Sequence, residues 1–151
     1  MGEPPPEQRL FAGLAGDWTL TRDLPDNGSM TGTARFREFE PAVLHYREDG
    51  TLVLPGGRSL EVYREYHYRL EEGQIRICFA EPGPPRTFHV LRLPGSHGAA
   101  DTASDVHLCG DDVYTGEYSF VDEDQFSVRM RVRGPRKDYE SRTVYRRADR
   151  A

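Results

Sequence analysis

The sequence has 151 residues, of which 36% are hydrophobic and 30% charged, and its formal net charge is −5. This length suits one domain that is large enough for a core with a cavity, and no apolar stretch approaches the length of a membrane span. Residues 125–151 carry nine Lys or Arg against three Asp or Glu, but this surplus falls on strands whose neighbours are acidic, so we expect no nucleic-acid partner. Because no apolar stretch is long enough, we expect no membrane partner either.

The polar, proline-rich residues 1–7 predict a disordered N-terminal tail. Residues 8–15 can form one or two helical turns with Leu10, Phe11 and Leu14 on one side. A helix this short is not stable alone in water. We therefore expect it to cap one end of a single domain formed by residues 8–151.

From Gly16 onward, short runs of alternating hydrophobicity are separated by turn sequences at regular intervals, which is typical of an antiparallel β-meander. About ten runs have the length of a strand, provided that residues 43–54 form one long strand that is bulged or bent at Asp49-Gly50. The pattern predicts an all-β fold: a closed, antiparallel, up-and-down barrel with a short capping helix.

Four predicted hairpins agree on which side chains face the inside of this barrel. Their turns lie at residues 72–73, 110–111, 122–124 and 135–136, and each register puts large aromatic and aliphatic side chains on the same face. That face also carries unusually many polar groups for a protein core. We take the following as candidate ligand-binding residues: Arg22, Arg64, Tyr66, His107, Cys109, Tyr114, Tyr118 and Tyr139.

One hairpin brings together more reactive side chains than any other part of the sequence. A two-residue turn at Gly110-Asp111 places Cys109 opposite Asp112 and His107 opposite Tyr114. Residues two apart on a strand share a face, so His107 and Cys109 are predicted to point inward together.

The two cysteines are predicted to be free thiols. Cys109 faces inward in its register and Cys78 faces outward in its own, so a disulfide between them is geometrically excluded. Two cysteines without an export signal are also typical of a reducing cytoplasm, where we expect this protein to be located.

His107 and Cys109 have the spacing of two ligands that could share a metal ion, and His89 could add a third. Structural zinc sites usually show paired Cys or His motifs, and this sequence has none, so we expect no metal. We also expect no bound cofactor, because haem on His89 or His107 would need a larger apolar cavity than so many tyrosines indicate.

Gly16-Asp17-Trp18 opens the first strand and resembles the G-x-W motif of the calycin barrels, the lipocalins and their relatives. This resemblance implies that Trp18 plugs the closed end of the barrel and that an arginine of the last strand, Arg142 or Arg146, covers it. At finer grain the chain resembles an uncharacterised bacterial family, the domain of unknown function 6314. Three motifs carry that resemblance: Gly16-Asp17-Trp18-x-Leu20-x-Arg22, His107-x-Cys109-x-x-Asp112-x-Tyr114-x-Gly116-x-Tyr118 and Gly134-Pro135-Arg136-Lys137-Asp138-Tyr139. It implies no activity.

An interior rich in tyrosine and arginine must hold a closed polar network, water or a ligand, because each buried polar group needs a partner. No acidic residue falls reliably on the inner face to pair with Arg22 or Arg64. The sequence thus predicts a barrel that binds a small, anionic, partly aromatic or aliphatic metabolite.

An enzyme is the alternative. In that reading His107 acts as the acid or base of a cofactor-free proton transfer, such as an isomerisation or cyclisation, with Tyr114 and Asp112 as its hydrogen-bond partners. The sequence leaves both functions open, as it does the formation of a homo-oligomer.

Overall fold

The computed structural model describes residue 2, residues 4–93 and residues 101–148. This part of the chain contains one helix and ten strands, which confirms the predicted number of strands. In chain order they are α1 (Pro6–Leu14), β1 (Gly16–Leu24), β2 (Gly28–Glu40), β3 (Val43–Val53), β4 (Ser59–Glu71), β5 (Gln74–Phe79), β6 (Thr87–Leu91), β7 (Asp101–Cys109), β8 (Asp112–Asp122), β9 (Gln125–Arg133) and β10 (Asp138–Arg147).

The strands form one antiparallel sheet in the order β6-β5-β4-β3-β2-β1-β10-β9-β8-β7, and this sheet curls into a nearly closed barrel. Its two end strands, β6 and β7, face each other along a line that we call the seam. No ladder joins them within the described residues. Instead the backbone N–H of Val90 donates to Asp105 Oδ2 at 2.7 Å, and His89 reaches across to β8. The all-β, up-and-down barrel is confirmed, with side chains completing its closure.

The predicted registers are confirmed in the hairpins. Tyr118 pairs with Val128 across β8 and β9, and His107 pairs with Tyr114 across β7 and β8. Gly110 begins the turn between β7 and β8 with a φ of 61°, which glycine adopts without strain. The faces on which these residues lie are therefore those expected from the sequence.

The bulge predicted at Asp49-Gly50 is absent, because β3 keeps an unbroken register with both neighbouring strands there. Gly32 and Gly50 form a cross-strand pair at this point, and a Cβ atom on Gly32 would lie only 2.2 Å from the carbonyl oxygen of Asp49. Two facing glycines thus let the strands approach closely without an inserted residue. The irregularity between β2 and β3 lies further along, between Glu38 and Glu40.

Trp18 plugs one end of the barrel, as its resemblance implies, and is only 2% exposed. Its indole Nε1 donates to the carbonyl of Leu14 at 2.9 Å. The arginine that covers it is Arg147, whose guanidinium lies 4.1 Å from the ring centroid, so the expectation of Arg142 or Arg146 is wrong. Arg147 is the direct cross-strand partner of Trp18 and shares its inward face, whereas the other two alternate outward.

Helix α1 closes the same end. It begins at Pro6, two residues before the predicted start, and so includes the end of the segment expected to be a disordered tail. Its apolar side buries Phe11 and Leu14 in the core. In the described part of the chain, no helix has both the length and the apolar character needed to cross a membrane.

Candidate functional site

A cavity of about 790 Å³ fills the half of the barrel away from Trp18 and opens between the turns that follow β1, β3, β7 and β9. This volume lies within the range of small-molecule sites. Its walls combine apolar side chains with a few charged ones. The apolar lining consists of Leu24, Leu52, Leu54, Phe79, Phe88, Met130 and Val132.

Seven of the eight candidate ligand-binding residues line this cavity: Arg22, Arg64, Tyr66, His107, Cys109, Tyr114 and Tyr139. The eighth, Tyr118, lies deeper in the barrel and lines a smaller pocket beneath. Asp112, the candidate hydrogen-bond partner of His107, is not among the lining residues and pairs with Lys137 instead. The sequence-based selection therefore identifies one shared space and misplaces one carboxylate.

Arg22 has a carboxylate partner that the sequence analysis did not find. Its Nη1 and Nη2 atoms lie 2.7 and 3.0 Å from the two oxygens of Glu48, and both side chains are buried. The Nε atom of Arg22 donates to the hydroxyl of Thr143 at 2.7 Å. The expectation that no acidic residue lies on the inner face is therefore wrong, and the charge of Arg22 is balanced within the protein.

Glu48 is held in its ionised form. Burial acts to raise the pKa of this carboxyl, but the hydrogen bond and charge of Arg22 act against it, and the pKa lies below its ordinary value. Tyr46 also donates a short hydrogen bond to Glu48, and its hydroxyl lies 2.9 Å from that of Tyr145. These contacts form a closed polar network at the base of the cavity.

Arg64 differs from Arg22 in lacking an ion pair. No carboxylate of the described residues lies within 4.0 Å of its guanidinium, although Glu48 is its cross-strand neighbour. Arg64 lines the cavity and is exposed to solvent there. Burial raises the pKa of Tyr66, and the charge of Arg64 acts in the opposite direction. Among the described residues, Arg64 on the wall and Arg136 at the mouth are therefore cations that line the cavity and have no ion pair.

His107 lies among aromatic rings on the cavity wall. Its ring centroid is 5.3 Å from that of Phe88, 5.6 Å from that of Phe79 and 6.3 Å from that of Tyr114. No described residue forms a hydrogen bond with its imidazole, which leaves both ring nitrogens free for a ligand.

The hydroxyl of Tyr114 is engaged by Lys137 at the mouth of the cavity. Lys137 Nζ lies 3.0 Å from this hydroxyl and 3.3 Å from Asp112 Oδ2, and these two contacts raise the pKa of the ammonium group. The structure thus joins Tyr114 and Asp112 to each other through Lys137. It does not join either of them to His107 by a hydrogen bond.

His89 does not join His107 and Cys109 in one cluster. Its Nε2 atom donates to the carbonyl of Tyr114 at 3.1 Å, and Nδ1 accepts from the hydroxyl of Tyr118 at 2.7 Å. Burial lowers the pKa of His89, so the imidazole is neutral. Among the described residues, no group of three or more His, Cys, Asp or Glu side chains could hold a metal ion.

The exposure of the two cysteines is the reverse of that predicted, although both are free. Cys109 faces inward, but it ends β7 at the open mouth of the cavity and is exposed. Cys78, the penultimate residue of β5, is buried and lies between His67 and Thr87 on the neighbouring strands. Burial also raises the pKa of the Cys78 thiol.

Below the main cavity is a pocket of about 40 Å³ surrounded by hydroxyl groups. Its polar lining includes Tyr66, Tyr68, Tyr118, Ser141 and Thr143, together with Arg64 and with Glu48, which is paired with Arg22. The sequence analysis did not select Tyr68, although the hairpin at residues 72–73 had placed it on the inner face. Burial raises its pKa far above the ordinary value, so Tyr68 remains a hydrogen-bond donor.

Phe88 is another cavity residue that the sequence analysis missed. The register between β5 and β6 shifts between Ile77 and Cys78, which leaves Phe88 as an extra residue opposite them. Phe88 and His89 are consecutive, yet both are buried. A bulge of this kind breaks the two-residue alternation, and no turn signal in the sequence marked it.

Comparisons with known proteins identify a family and a fold. The family of unknown function DUF6314 matches residues 14–147. No curated protein matches the sequence. Among solved structures, the chain is similar to Rv2717c from M. tuberculosis, with a TM-score of 0.66, 15% sequence identity, and coverage of 97% of this chain and 100% of that one.

Two further barrels are similar in fold. One is EF1p2_mFAP2b bound to DFHBI, with a TM-score of 0.53, 14% identity, and coverage of 93% of this chain and 98% of that one. The other is a redesigned β-barrel, b11L5F_LGL, with a TM-score of 0.51, 13% identity, and coverage of 93% and 96%. At these identities the likeness extends to the fold alone.

Proposed function

This chain belongs to the family of unknown function DUF6314, and because that description assigns no activity, we propose a function from the cavity: the protein binds a small, anionic, partly aromatic or aliphatic metabolite inside its barrel. One observation carries the proposal. Arg64 lines the cavity, and no carboxylate of the described residues forms an ion pair with it. A cation on a cavity wall with no ion-pair partner is available to bind the anionic group of a ligand.

The remaining walls suit the body of such a ligand. Phe79, Phe88 and Tyr66 offer ring faces, and Leu52 and Met130 offer aliphatic surface. Aromatic rings and flat apolar groups pack well on surfaces of this kind. The likeness in fold to EF1p2_mFAP2b, whose structure holds DFHBI, supports the proposal, since a barrel of this architecture accommodates a small molecule.

Binding of 8-anilinonaphthalene-1-sulfonate, an aromatic anion that fluoresces in apolar surroundings, tests this proposal. We expect one saturable site, with affinity reduced about tenfold or more in Arg64→Gln, because an ionic hydrogen bond is lost. Arg35→Gln is the control, since Arg35 lies on the outer face of β2 and is mostly exposed. Equal affinity in both variants, or no saturable binding, would contradict the proposal. Native mass spectrometry of protein purified from its own host would then identify the natural ligand.

A second candidate function, proton transfer by His107, has one observation in its favour. The imidazole lines the cavity and has no hydrogen-bond partner among the described residues, so it could accept a proton from a bound substrate. Against this candidate, Lys137 engages both Tyr114 and Asp112, the groups that would orient the imidazole. We favour binding, and a His107→Ala variant that keeps its affinity for an identified ligand but loses turnover would favour catalysis instead.

A further inference from the structure

The deep pocket of about 40 Å³ beneath the main cavity is not separate from it. Six residues line both spaces and form the junction between them: Arg22, Arg64, Tyr66, Phe88, Met130 and Ser141. Arg64 therefore borders both spaces at the junction. A group that reaches this junction from the mouth meets the guanidinium first and the hydroxyl-lined pocket next.

Tyr68 is a buried residue of the deep pocket whose hydroxyl has no hydrogen-bond partner among the described residues, and the less buried Ser141 shares this property. It is 8% exposed, lines the pocket, and forms no hydrogen bond with any described residue. Its ring is fixed by an edge-to-face contact with Phe36 at 5.0 Å and a tilted contact with Tyr46 at 5.7 Å. Its hydroxyl is accessible from the pocket and has no acceptor among the described residues, so it is free to donate to a bound group.

Several neighbouring polar groups are already engaged. Tyr118 donates to His89, Tyr46 bonds to Glu48, and Thr143 accepts from Arg22. Both terminal nitrogens of Arg22 bond to Glu48. Arg64, Tyr68 and the less buried hydroxyls of Tyr66 and Ser141 therefore remain for an anion at this depth, and Tyr68 is the most buried of the three hydroxyl residues.

We propose that the cavity binds its ligand with a carboxylate group at the junction, between Arg64 and the hydroxyl of Tyr68, so that aryl or alkyl carboxylates bind more tightly than phosphonates or sulfonates of matched length. This inference rests on the proposed binding function and specifies its ligand class. The apolar body of the ligand then lies in the main cavity against Phe79 and Phe88.

The size of the deep pocket distinguishes these anions. A site for one water requires about 10–15 Å³, so 40 Å³ holds a few oxygen atoms at most. A planar carboxylate brings two oxygens to one edge, which suits one cation and one hydroxyl. A tetrahedral phosphonate or sulfonate carries a third oxygen, for which the deep pocket has no remaining cation and little room.

Three probes of matched length test the inference on the unmodified protein: 4-phenylbutanoate, 3-phenylpropylphosphonate and 4-phenylbutanamide. Isothermal titration calorimetry should show the carboxylate binding at least tenfold more tightly than either of the others. A phosphonate that binds as tightly as the carboxylate would overturn the inference. Because this comparison uses only the wild-type protein, a folding defect in a variant cannot affect it.

Tyr68→Phe supplies the second arm of the test. It removes only the hydroxyl and should weaken 4-phenylbutanoate about tenfold, with a far smaller effect on the amide. Tyr63→Phe is the matched control, because Tyr63 is 65% exposed on the outer face of β4. Unchanged affinity for the carboxylate in Tyr68→Phe would overturn the inference.

The two proposals fail in distinguishable ways. Suppose that 8-anilinonaphthalene-1-sulfonate binds at one Arg64-dependent site but the protein shows no preference for the carboxylate among the three phenyl probes. The proposed binding function is then supported, and the proposed carboxylate site is wrong. If the fluorescent anion and all three phenyl probes fail to bind, both are wrong.

Discussion

Arg22 and Glu48 form a two-pronged ion pair inside the barrel, with nitrogen–oxygen distances of 2.7 and 3.0 Å. The two residues lie on β1 and β3, with β2 between them, so the pair crosses the sheet beneath the cavity. Glu48 is only 2% exposed, and Arg22 is 8% exposed. Neither side chain can reach water when its partner is removed, so the loss of either one should destabilise the fold.

Glu48→Gln should lower the free energy of unfolding by about 3–5 kcal/mol, because it leaves the buried guanidinium of Arg22 without a countercharge. Chemical denaturation followed by circular dichroism measures this change. Asp49→Asn, one residue along on the exposed face, removes an ion pair with Arg47 and should have little effect. If both substitutions lowered the free energy of unfolding equally, the buried pair would contribute no more to stability than the exposed one.

The stability of the protein should fall as the pH drops below about 6.5, the ordinary pKa of histidine, partly because of His89. Burial lowers its pKa in the folded protein, so unfolding takes up a proton at this residue in that window. The free energy of unfolding then decreases with falling pH. Denaturation midpoints between pH 7 and pH 5 measure the slope. His89→Gln should flatten it more than His67→Gln, since His67 is only partly buried. An unchanged slope in His89→Gln would contradict this account.

Gly116→Ala should destabilise the barrel by about 1–3 kcal/mol through overpacking. A Cβ atom at this position would lie 2.6 Å from Cε1 of His89 and 2.9 Å from Cε1 of Tyr118, which hold each other by a hydrogen bond. Gly13→Ala, in helix α1, is the matched control, because a Cβ there meets nothing within 4 Å. Alanine is the better helix former, so this control should be neutral or slightly stabilising. Thermal unfolding of both variants separates steric clash from the general effect of replacing glycine.

A thiol reagent should modify Cys109 quickly and Cys78 slowly in the native protein. Cys109 is exposed at the mouth of the cavity, whereas Cys78 is buried and its pKa is raised by that burial. The thiolate is the reactive form, so both effects slow Cys78. Cys109→Ser should abolish the fast phase, and Cys78→Ser should leave it unchanged. Two fast phases in the wild type would contradict the burial of Cys78.

Arg147→Ala should open the closed end of the barrel. The guanidinium donates to the carbonyls of Gly13 and Ala15 at 2.6 and 3.1 Å and lies over the ring of Trp18. We expect a loss of about 1–3 kcal/mol of stability. Trp18 is the single tryptophan of the chain, so its fluorescence maximum should shift to longer wavelength. Arg146→Ala, on the exposed face, should leave both measurements unchanged.

The strand count and the inward faces of the hairpins were predictable from the sequence. Two-residue alternation and tight turns are local signals, and together they determine which residues of a hairpin share a face. Tyr114 and Tyr118 were placed correctly for this reason. The same rule predicts that Arg147 faces inward, because it lies two residues after the inward-facing Tyr145 on the same strand.

Glu48 was missed because a bulge was expected one residue further on, which left the register of β3 undetermined. The unbroken pairing through Gly50 resolves it, and Glu48 then shares the inner face with Tyr46. The two cysteines illustrate a different limit. Alternation assigns a face, but the exposure of a side chain also depends on its place along the strand. Cys109 lies at an open end, and Cys78 lies beneath neighbours on adjacent strands.

In a barrel in which every strand pair is laddered, strand number and stagger set the girth. Within the described residues, the seam between β6 and β7 is instead held by Asp105, which accepts from the backbone of Val90, and by the imidazole of His89. Separating β6 from β7 would break a few hydrogen bonds made by side chains, whereas separating two paired strands would break a whole ladder of backbone hydrogen bonds. The wall should therefore yield most easily along this line, and if Arg64 anchors a ligand as proposed, ligands of different thickness should fit above it.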